Sequence, residues 1–499
     1  MNQYGNENGE YDRHYTNRVM MLLAFIVIIV MYVEGMLTPS LRSIASGFSV
    51  SVSQVSLVLS SYLVGGVILT PIIGKLGDIY GKKKMLSISL VVYAVFVSVT
   101  GFSPNFTFMV VSRTIQGIGL TILPLGMSLI REEFPKELIP KAQALISAMF
   151  GAGFAVSLPL GSLVSNDFGW RWTYHSAVPF VILATILAVI MIKESKYKRP
   201  EVKIDYIGAS LLGAVLGSFV FALSQGPVWG WTSTSVISLF AIAVILIVPL
   251  ILYELRYTRN GGEAVLNFRL LAQRNVMVTN LAIAISGMGM FLAMQALTYR
   301  FELPIPDGLG KSILATGISM IPFALGMIIF APITGQFISR VGVKPFAVLG
   351  SVIAGIGFLL QALIPSYSMV MVYEFVTGSG LSMLNASVIN YLILTVNPKD
   401  MGLATGMNGT SRNVGSAIGA PTAGSLLSTF TATYAIGSVA GHPITAVLPS
   451  HLAFYYAFII AAATFAAGIV VIYFGEEVLG KKTIKEMETR KFEAEFQTK

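Results

Sequence analysis

The chain has 499 residues, of which 55% are hydrophobic and only 11% charged, against about 25% charged in ordinary soluble domains. That balance excludes a water-soluble fold. The formal charge of +9 comes from basic residues in short turns between apolar runs, not from a basic face with stacking aromatics, so no nucleic-acid partner is expected; the lack of cysteine excludes disulfides, thiolate metal sites and cysteine nucleophiles.

Residues 1–17 are polar and are read as a cytoplasmic tail. The apolar run that follows is too long, and too quickly succeeded by others, for a cleaved signal peptide. Apolar stretches bounded by charge or by Gly, Pro and Asn lie near 19–40, 53–73, 85–102, 106–130, 141–165, 174–192, 206–224, 234–253, 275–298, 311–334, 346–364, 367–394, 401–428 and 452–474. One crossing needs roughly 20 residues, so fourteen use about 280 and leave loops and tails. The expected fold class is an all-α membrane protein with 14 transmembrane helices.

Lys and Arg are retained on the cytoplasmic side. With both termini inside, 27 of the 33 Lys and Arg fall in cytoplasmic segments and four, Arg42, Arg171, Arg300 and Lys311, in outer loops, while Arg113 and Arg412 fall within spans. A multi-pass protein of the cell membrane with cytoplasmic N- and C-termini is expected.

An internal repeat organises the chain. Pro71-Ile-Ile-Gly74-Lys-Leu-Gly-Asp78-Ile-Tyr-Gly81-Lys-Lys83 recurs 261 residues later as Pro332-Ile-Thr-Gly335-Gln-Phe-Ile-Ser339-Arg-Val-Gly342-Val-Lys344, and Gly117-Ile-Gly119-Leu120 recurs at the same offset as Gly378-Ser-Gly380-Leu381. Repeated six-span halves with a binding site between them are a common plan of secondary transporters. The expected organisation is a tail at 1–17, a six-helix bundle at 18–193, a linker with two additional helices at 194–274, a second bundle at 275–475 with pseudo-two-fold symmetry to the first, and a cytoplasmic tail at 476–499.

Shifting Arg113 by 261 gives Glu374, and shifting Glu34 gives Gln295, so the repeat sets an arginine opposite an acid. Ionisable groups at bilayer depth are costly and mark function. Glu34 and Glu374 are the two acids read as lying well inside spans, and they are the candidate proton carriers. Met288, Met290, Phe291 and Met294 give one span a polarizable surface that suits varied apolar ligands or simply lipid. His14, His175, His442 and His451 show no metal spacing, and no phosphate-cradling Gly-x-x-x-x-Gly-Lys-Ser/Thr loop is present. No enzyme activity, cofactor or ATP dependence is expected.

Gly74-x-x-x-Asp78-x-x-Gly81-Lys82-Lys83 resembles the signature loop of the major facilitator superfamily, with Ile79 where that family usually has a basic residue. Arg113-Thr-Ile-Gln116-Gly117-x-Gly119 resembles its second motif, where a buried arginine is implicated in proton coupling. Gly153-Phe-Ala-Val-Ser157-Leu158-Pro159-Leu-Gly161-Ser162 resembles the antiporter motif of drug exporters. Trp170-Arg171-Trp172 with Val178-Pro179, Asp205-Tyr-Ile-Gly208 and Arg412-Asn413-Val-Gly415 are similar to patterns of the fourteen-span drug:H+ antiporter family.

The resemblance implies a proton-coupled exporter of amphipathic or cationic small molecules, working as a monomer in the lipid bilayer. Glu34, Glu374 and Arg113 would serve proton coupling, and Gly74, Asp78, Gly81 and Lys82 the conformational switch. Tyr62, Gln116, Gln295 and Asn385 would be polar contacts in the cavity. Arg412 is left to pair with Glu374 or to cap a neighbouring helix. Export of a dedicated metabolite, lipid or siderophore, uptake by symport, and a sensor without flux remain the alternatives.

Overall fold

The structure is a computed structural model, and it describes residues 13–478 apart from 136–137, 195–197, 200, 202, 306, 365, 398–399 and 440–441. Most of the expected tails, 1–12 and 479–499, therefore lies outside the described residues. In chain order, α1 (Arg13–Gly35) is followed by the 3-10 turn η1 (Thr38–Ser40) and by short helices α2 (Leu41–Phe48) and α3 (Val52–Val55). α4 (Leu57–Tyr80) and α5 (Lys82–Thr100) meet at Gly81, while α6 (Phe106–Gln116), η2 (Gly117–Thr121) and α7 (Ile122–Glu133) form one interrupted rod. α8 (Ile139–Phe168) and α9 (Trp170–Met191) follow, then the pair α10 (Tyr206–Trp229) and α11 (Thr234–Arg259). α12 (Phe268–Leu271) leads into α13 (Arg274–Glu302), α14 (Ile313–Ser319), α15 (Ile321–Val341), α16 (Val343–Leu363), α17 (Tyr367–Thr395), α18 (Met401–Thr429) and α19 (His451–Tyr473).

Among the described residues, eleven helical segments are long and apolar enough to cross a membrane. The helical hydrogen-bond ladder satisfies interior backbone groups without water, which the hydrocarbon layer demands, and is interrupted at the in-helix prolines Pro71, Pro159, Pro179, Pro227, Pro249, Pro332 and Pro421. At some helix starts a side chain meets the free amides: Asn105 caps α6, Asp205 α10, Ser233 α11 and Ser312 α14. On α11, Ile237, Val244, Ile245, Val248 and Leu252 are exposed, a surface that only lipid solvates favourably.

The all-α expectation needs correction, because β1 (Thr431–Val439) and β2 (His442–Pro449) form an antiparallel hairpin between α18 and α19. The segment lacks a long apolar run and so reads as a loop, yet Thr431, Thr433, Tyr434, Ile436 and Val439 suit a strand. Tyr434 donates its hydroxyl to Asp307. Burial first, then this hydrogen bond, pushes the phenol up to about 12, so it stays a donor at physiological pH. The His451 amide donates to the same carboxylate at 2.8 Å, and the hairpin ends close where Ser450 N donates to Phe430 O at 2.9 Å.

Packing reproduces the 261-residue repeat contact by contact. A Cβ at Gly65 would fall 1.8 Å from Thr114 O, and one at the equivalent Gly326 2.5 Å from Phe375 O. Gly117 would meet Tyr62 O at 2.5 Å and Gly378 would meet Phe323 O at 2.0 Å; Gly119 lies on Tyr93 and Gly380 on Ala354. Each partner is displaced by the same 261 residues as its glycine. Gly81 and Gly342 share positive φ, 111° and 109°, a backbone that other residues rarely adopt. Just past these turns, Glu194 accepts from Lys83 N and Lys84 N at 3.1 Å, and Glu477 accepts from Val343 N and Lys344 N at 3.0 Å. These two acids stand 283 residues apart, because the hairpin lengthens a connection that Gly169 alone makes between α8 and α9.

Gly74 departs from the expectation of a loop glycine at a tight contact. It lies inside α4, and a Cβ there would meet nothing within 4 Å; in this signature only Gly81 makes the turn. Gly378→Ala is accordingly expected to destabilise the purified protein by about 1–3 kcal/mol through overpacking, with a lowered Tm, whereas Gly74→Ala leaves Tm unchanged. Replacing residues 431–449 by a short Gly-containing turn should leave the helices assembled, as judged by monodispersity and an unshifted Tm.

Candidate functional site

The rod of α6, η2 and α7 brings the first cluster together. Where α6 tightens into η2, the small Gly117 lets the rod press on α4, and this sets Arg113 over the ring of Tyr62 at 4.5 Å. Arg113 is fully buried; its Nε donates to Val58 O at 3.0 Å and its Nη1 to Gln116 Oε1 at 3.2 Å. The Gln116 amide then donates to Phe96 O at 2.9 Å and to Thr100 Oγ1. Arg113 Nη2 is buried without an acceptor from the protein, so the charge is only partly compensated by hydrogen bonds and by the Tyr62 ring.

Glu34 lies in the last turns of α1, 8% exposed. Its Oε2 receives no hydrogen bond from the protein. The positive charges that bear on it are those of Arg412, from α18, and Arg113. Arg412, left open in the sequence between Glu374 and a helix cap, thus acts on Glu34. α1 itself is held against α8 by the glycines of the expected antiporter motif: a Cβ at Gly153 would meet Ile28 O at 2.8 Å and one at Gly161 Met36 O at 2.4 Å.

A second cluster stands on α13, α16 and α17. Gln361 Nε2 donates to Glu374 Oε1 at 2.7 Å, and Arg300 Nη1 donates to Gln361 O at 2.6 Å. Gln361 and Glu374 occupy the repeat positions of Thr100 and Arg113, so an acid and an amide stand where the first cluster has a cation and a hydroxyl. Arg300 corrects its expected place in an outer loop: no breaker precedes Pro304, α13 runs on to Glu302, and Arg300 is buried at 2% exposure against Phe454 and Phe458. The short list of interior acids lengthens for the same reason, with Glu302 buried at the end of α13 and Glu254 buried on α11, whose helix continues past 253 to Arg259.

Gln295, also buried, donates from Nε2 to Val52 O at 3.4 Å and so ties α13 to α3. Asn385 is half-buried and accepts from Ser286 Oγ at 3.1 Å. Tyr62, Gln116 and Arg113 therefore share one cluster with Glu34 alongside, Glu374 stands in the other, and Gln295 and Asn385 belong to neither. Ser53 N donates to Ser428 Oγ at 3.0 Å, Arg42 donates to Glu302 O, and Gly317 abuts Ser162; these contacts join the two repeats at the helix ends away from Gly81.

At the Gly81 end, Lys82 is buried and bridges two acids, Asp78 at 3.3 Å and Glu132. Ile79 leaves no charge at the usual basic position, and Lys82 takes up Asp78 instead. Arg199 N donates to Asp78 O at 2.7 Å.

The sequence profile of the Major Facilitator Superfamily matches residues 23–301, 204–420 and 279–496. Two uncharacterized MFS-type transporters of Mycobacterium tuberculosis are 26% identical over 422 residues, 83% of this chain. The chain spans 60% of the length of those two relatives. Multidrug resistance protein 3 of Bacillus subtilis is 26% identical over 371 residues, 72% of this chain and 70% of its own. In fold, the chain is similar to the xylose transporter XylE from E. coli in a partially occluded inward-open conformation, with a TM-score of 0.61 at 13% identity over 94% of this chain and 99% of that one. It is also similar to the human organic anion transporter MFSD10, with a TM-score of 0.56 at 14% identity over 92% and 99%. A profile match across nearly the whole sequence, on a fold that packs as an internal repeat, makes the chain a multi-pass membrane protein of the major facilitator superfamily.

Proposed function

We propose that the chain is a proton-coupled exporter of amphipathic or cationic small molecules, of the fourteen-span drug:H+ antiporter branch. In this reading fourteen helices cross the membrane: six-helix bundles at 18–193 and 275–475 related by a pseudo-two-fold axis, and an inserted pair within 194–274. Both termini are cytoplasmic and a monomer is the working unit. The names of the Bacillus subtilis relatives, a multidrug resistance protein and a multidrug transporter, support the substrate class.

The observation that carries the coupling is Glu34. One of its oxygens is buried without a hydrogen bond, and its charge faces a cation of its own bundle, Arg113, and one of the other, Arg412. An ionised carboxylate there attracts both cations and holds the bundles together; a protonated one does not. Uncompensated buried charge is disfavoured, so each passage between closed and open cavity favours a change in proton occupancy. Glu374, tied to Gln361 rather than to a cation, supplies a second acid with a different environment. Tyr62, Gln116, Gln295 and Asn385 offer polar contacts to cargo, and Asp78 and Lys82 hold the cytoplasmic end through the turn at Gly81, with Gly74 inside the preceding helix.

The bundle contacts Ser53–Ser428, Arg42–Glu302 and Gly317–Ser162 support a state closed at the outer side and poised toward the cytoplasm. In proteoliposomes carrying an imposed pH gradient, the Glu34→Gln, Glu374→Gln double variant is expected to bind a cationic dye but to lose gradient-driven accumulation. Accumulation equal to the parent would remove these acids from the coupling site. Competition of several unrelated dyes for one saturable site supports the multidrug reading, and recognition of a single compound supports the dedicated-metabolite alternative.

A further inference from the structure

The Asp205-Tyr-Ile-Gly208 motif plays no part in the clusters above, yet it stands at a second buried acidic site. Asp205, 5% exposed, caps α10: its Oδ1 accepts from Gly208 N at 2.7 Å and its Oδ2 from Val265 N at 3.2 Å. Glu254 of α11 is fully buried, and its Oε1 accepts from Leu266 N at 3.4 Å. Both carboxyls close on Gly208, where a Cβ would fall 2.4 Å from Asp205 Oδ2 and 2.6 Å from Glu254 Oε1. Three of the four carboxyl oxygens are thus met by backbone amides. The fourth, Glu254 Oε2, is buried with no donor from the protein.

Among the described residues no cation pairs with either acid. The groups of their own helices that face the pair are Tyr253 and Tyr257. Arg256 and Arg259 of α11 and Arg269 of α12 are exposed. On the linker and α4, Glu263 is paired with Lys75 and with Arg199, the latter at 2.9 Å, and Asp78 with Lys82. The remaining ionisable group beside Glu254 is the Asp205 carboxyl, which closes on the same Gly208. Ionised carboxylates only accept, so Glu254 Oε2 can be satisfied by its neighbour only through a proton between the two carboxyls.

We propose that Asp205 and Glu254 together bind one proton, at a site outside the two bundles, and that this proton fixes the linker at 261–267 to the inserted helices. Val265 and Leu266 are held by the pair, while Glu263 two residues earlier is held by α4 and Arg199. The linker that enters the second bundle is therefore tethered to the signature end of the first. Release of the proton leaves two like charges in a dry site, and their repulsion parts the two carboxyls that hold the Val265 and Leu266 amides.

The test uses the full chain in lipid nanodiscs. Infrared difference spectra between the parent and Glu254→Gln should show one protonated-carboxyl stretch, present at neutral pH in the parent and lost on raising pH. Over the same pH interval, hydrogen-exchange protection of Val265 and Leu266, corrected for the intrinsic rate, should fall at least tenfold in the parent. In Glu254→Gln, whose amide donates to Asp205 at every pH, protection should stay flat, and Asp205→Asn, which keeps the Glu254 acceptor of Leu266 N, should lose the band and leave Leu266 protection flat. An unchanged carboxyl band in both variants, or equal pH dependence of protection in parent and variants, overturns the proposal. Either result is read from Val265, Leu266 and the band itself, so it is separable from failure of coupling at Glu34 and Glu374.

Discussion

A polar group inside a bilayer protein has no water to fall back on, and the interior of this chain is arranged around that constraint. Arg113 uses a backbone carbonyl, an amide and the face of Tyr62; Arg300 uses the Gln361 carbonyl and two phenylalanine rings. Such sites exist only because helices approach closely enough to bring carbonyls to the cations. The approach is made by glycines in register, Gly65, Gly117 and Gly119 in one repeat and Gly326, Gly378 and Gly380 in the other. Small residues therefore set the geometry in which the rare charges are tolerated.

The same constraint makes the unsatisfied groups informative. Glu34 Oε2 and Glu254 Oε2 are buried without a donor, and each sits beside another charged or ionisable side chain: Arg412 and Arg113 for the first, Asp205 for the second. One faces Arg412 of α18 and Arg113 of α6, the other stands where α10 and α11 hold Val265 and Leu266. In the proposed reading these are two of the places where proton occupancy acts on the arrangement of the halves; Glu133 Oε1 and Glu302 Oε1 are also buried without a donor.

The helical plan was legible because apolar runs of crossing length leave little choice of structure, and all fourteen expected stretches overlap helices. The repeat was legible because Gly81 and Gly342 need a backbone that few other residues adopt. Helix ends were less so: the expected span ended at 298 although nothing breaks α13 before Pro304, which hid Arg300 and Glu302, and α11 was ended one residue before Glu254. The hairpin at 431–449 escaped because strand propensity in a short polar stretch is weak evidence without its partner. Arg113 and Glu374 were found by symmetry and depth, but the action of Arg412's charge on Glu34 was not, since proximity between distant helices leaves no trace in spacing.

The central claim is that cargo and protons move through one alternating cavity in opposite directions. The most direct measurement is proton flux in proteoliposomes that enclose a pH-sensitive dye and start with no pH gradient, after an outward or inward gradient of a cationic amphiphile is imposed. The account predicts that protons move against the cargo's direction and that the flux saturates with the cargo. Cargo movement with no accompanying pH change, or with protons travelling alongside it, would contradict the account.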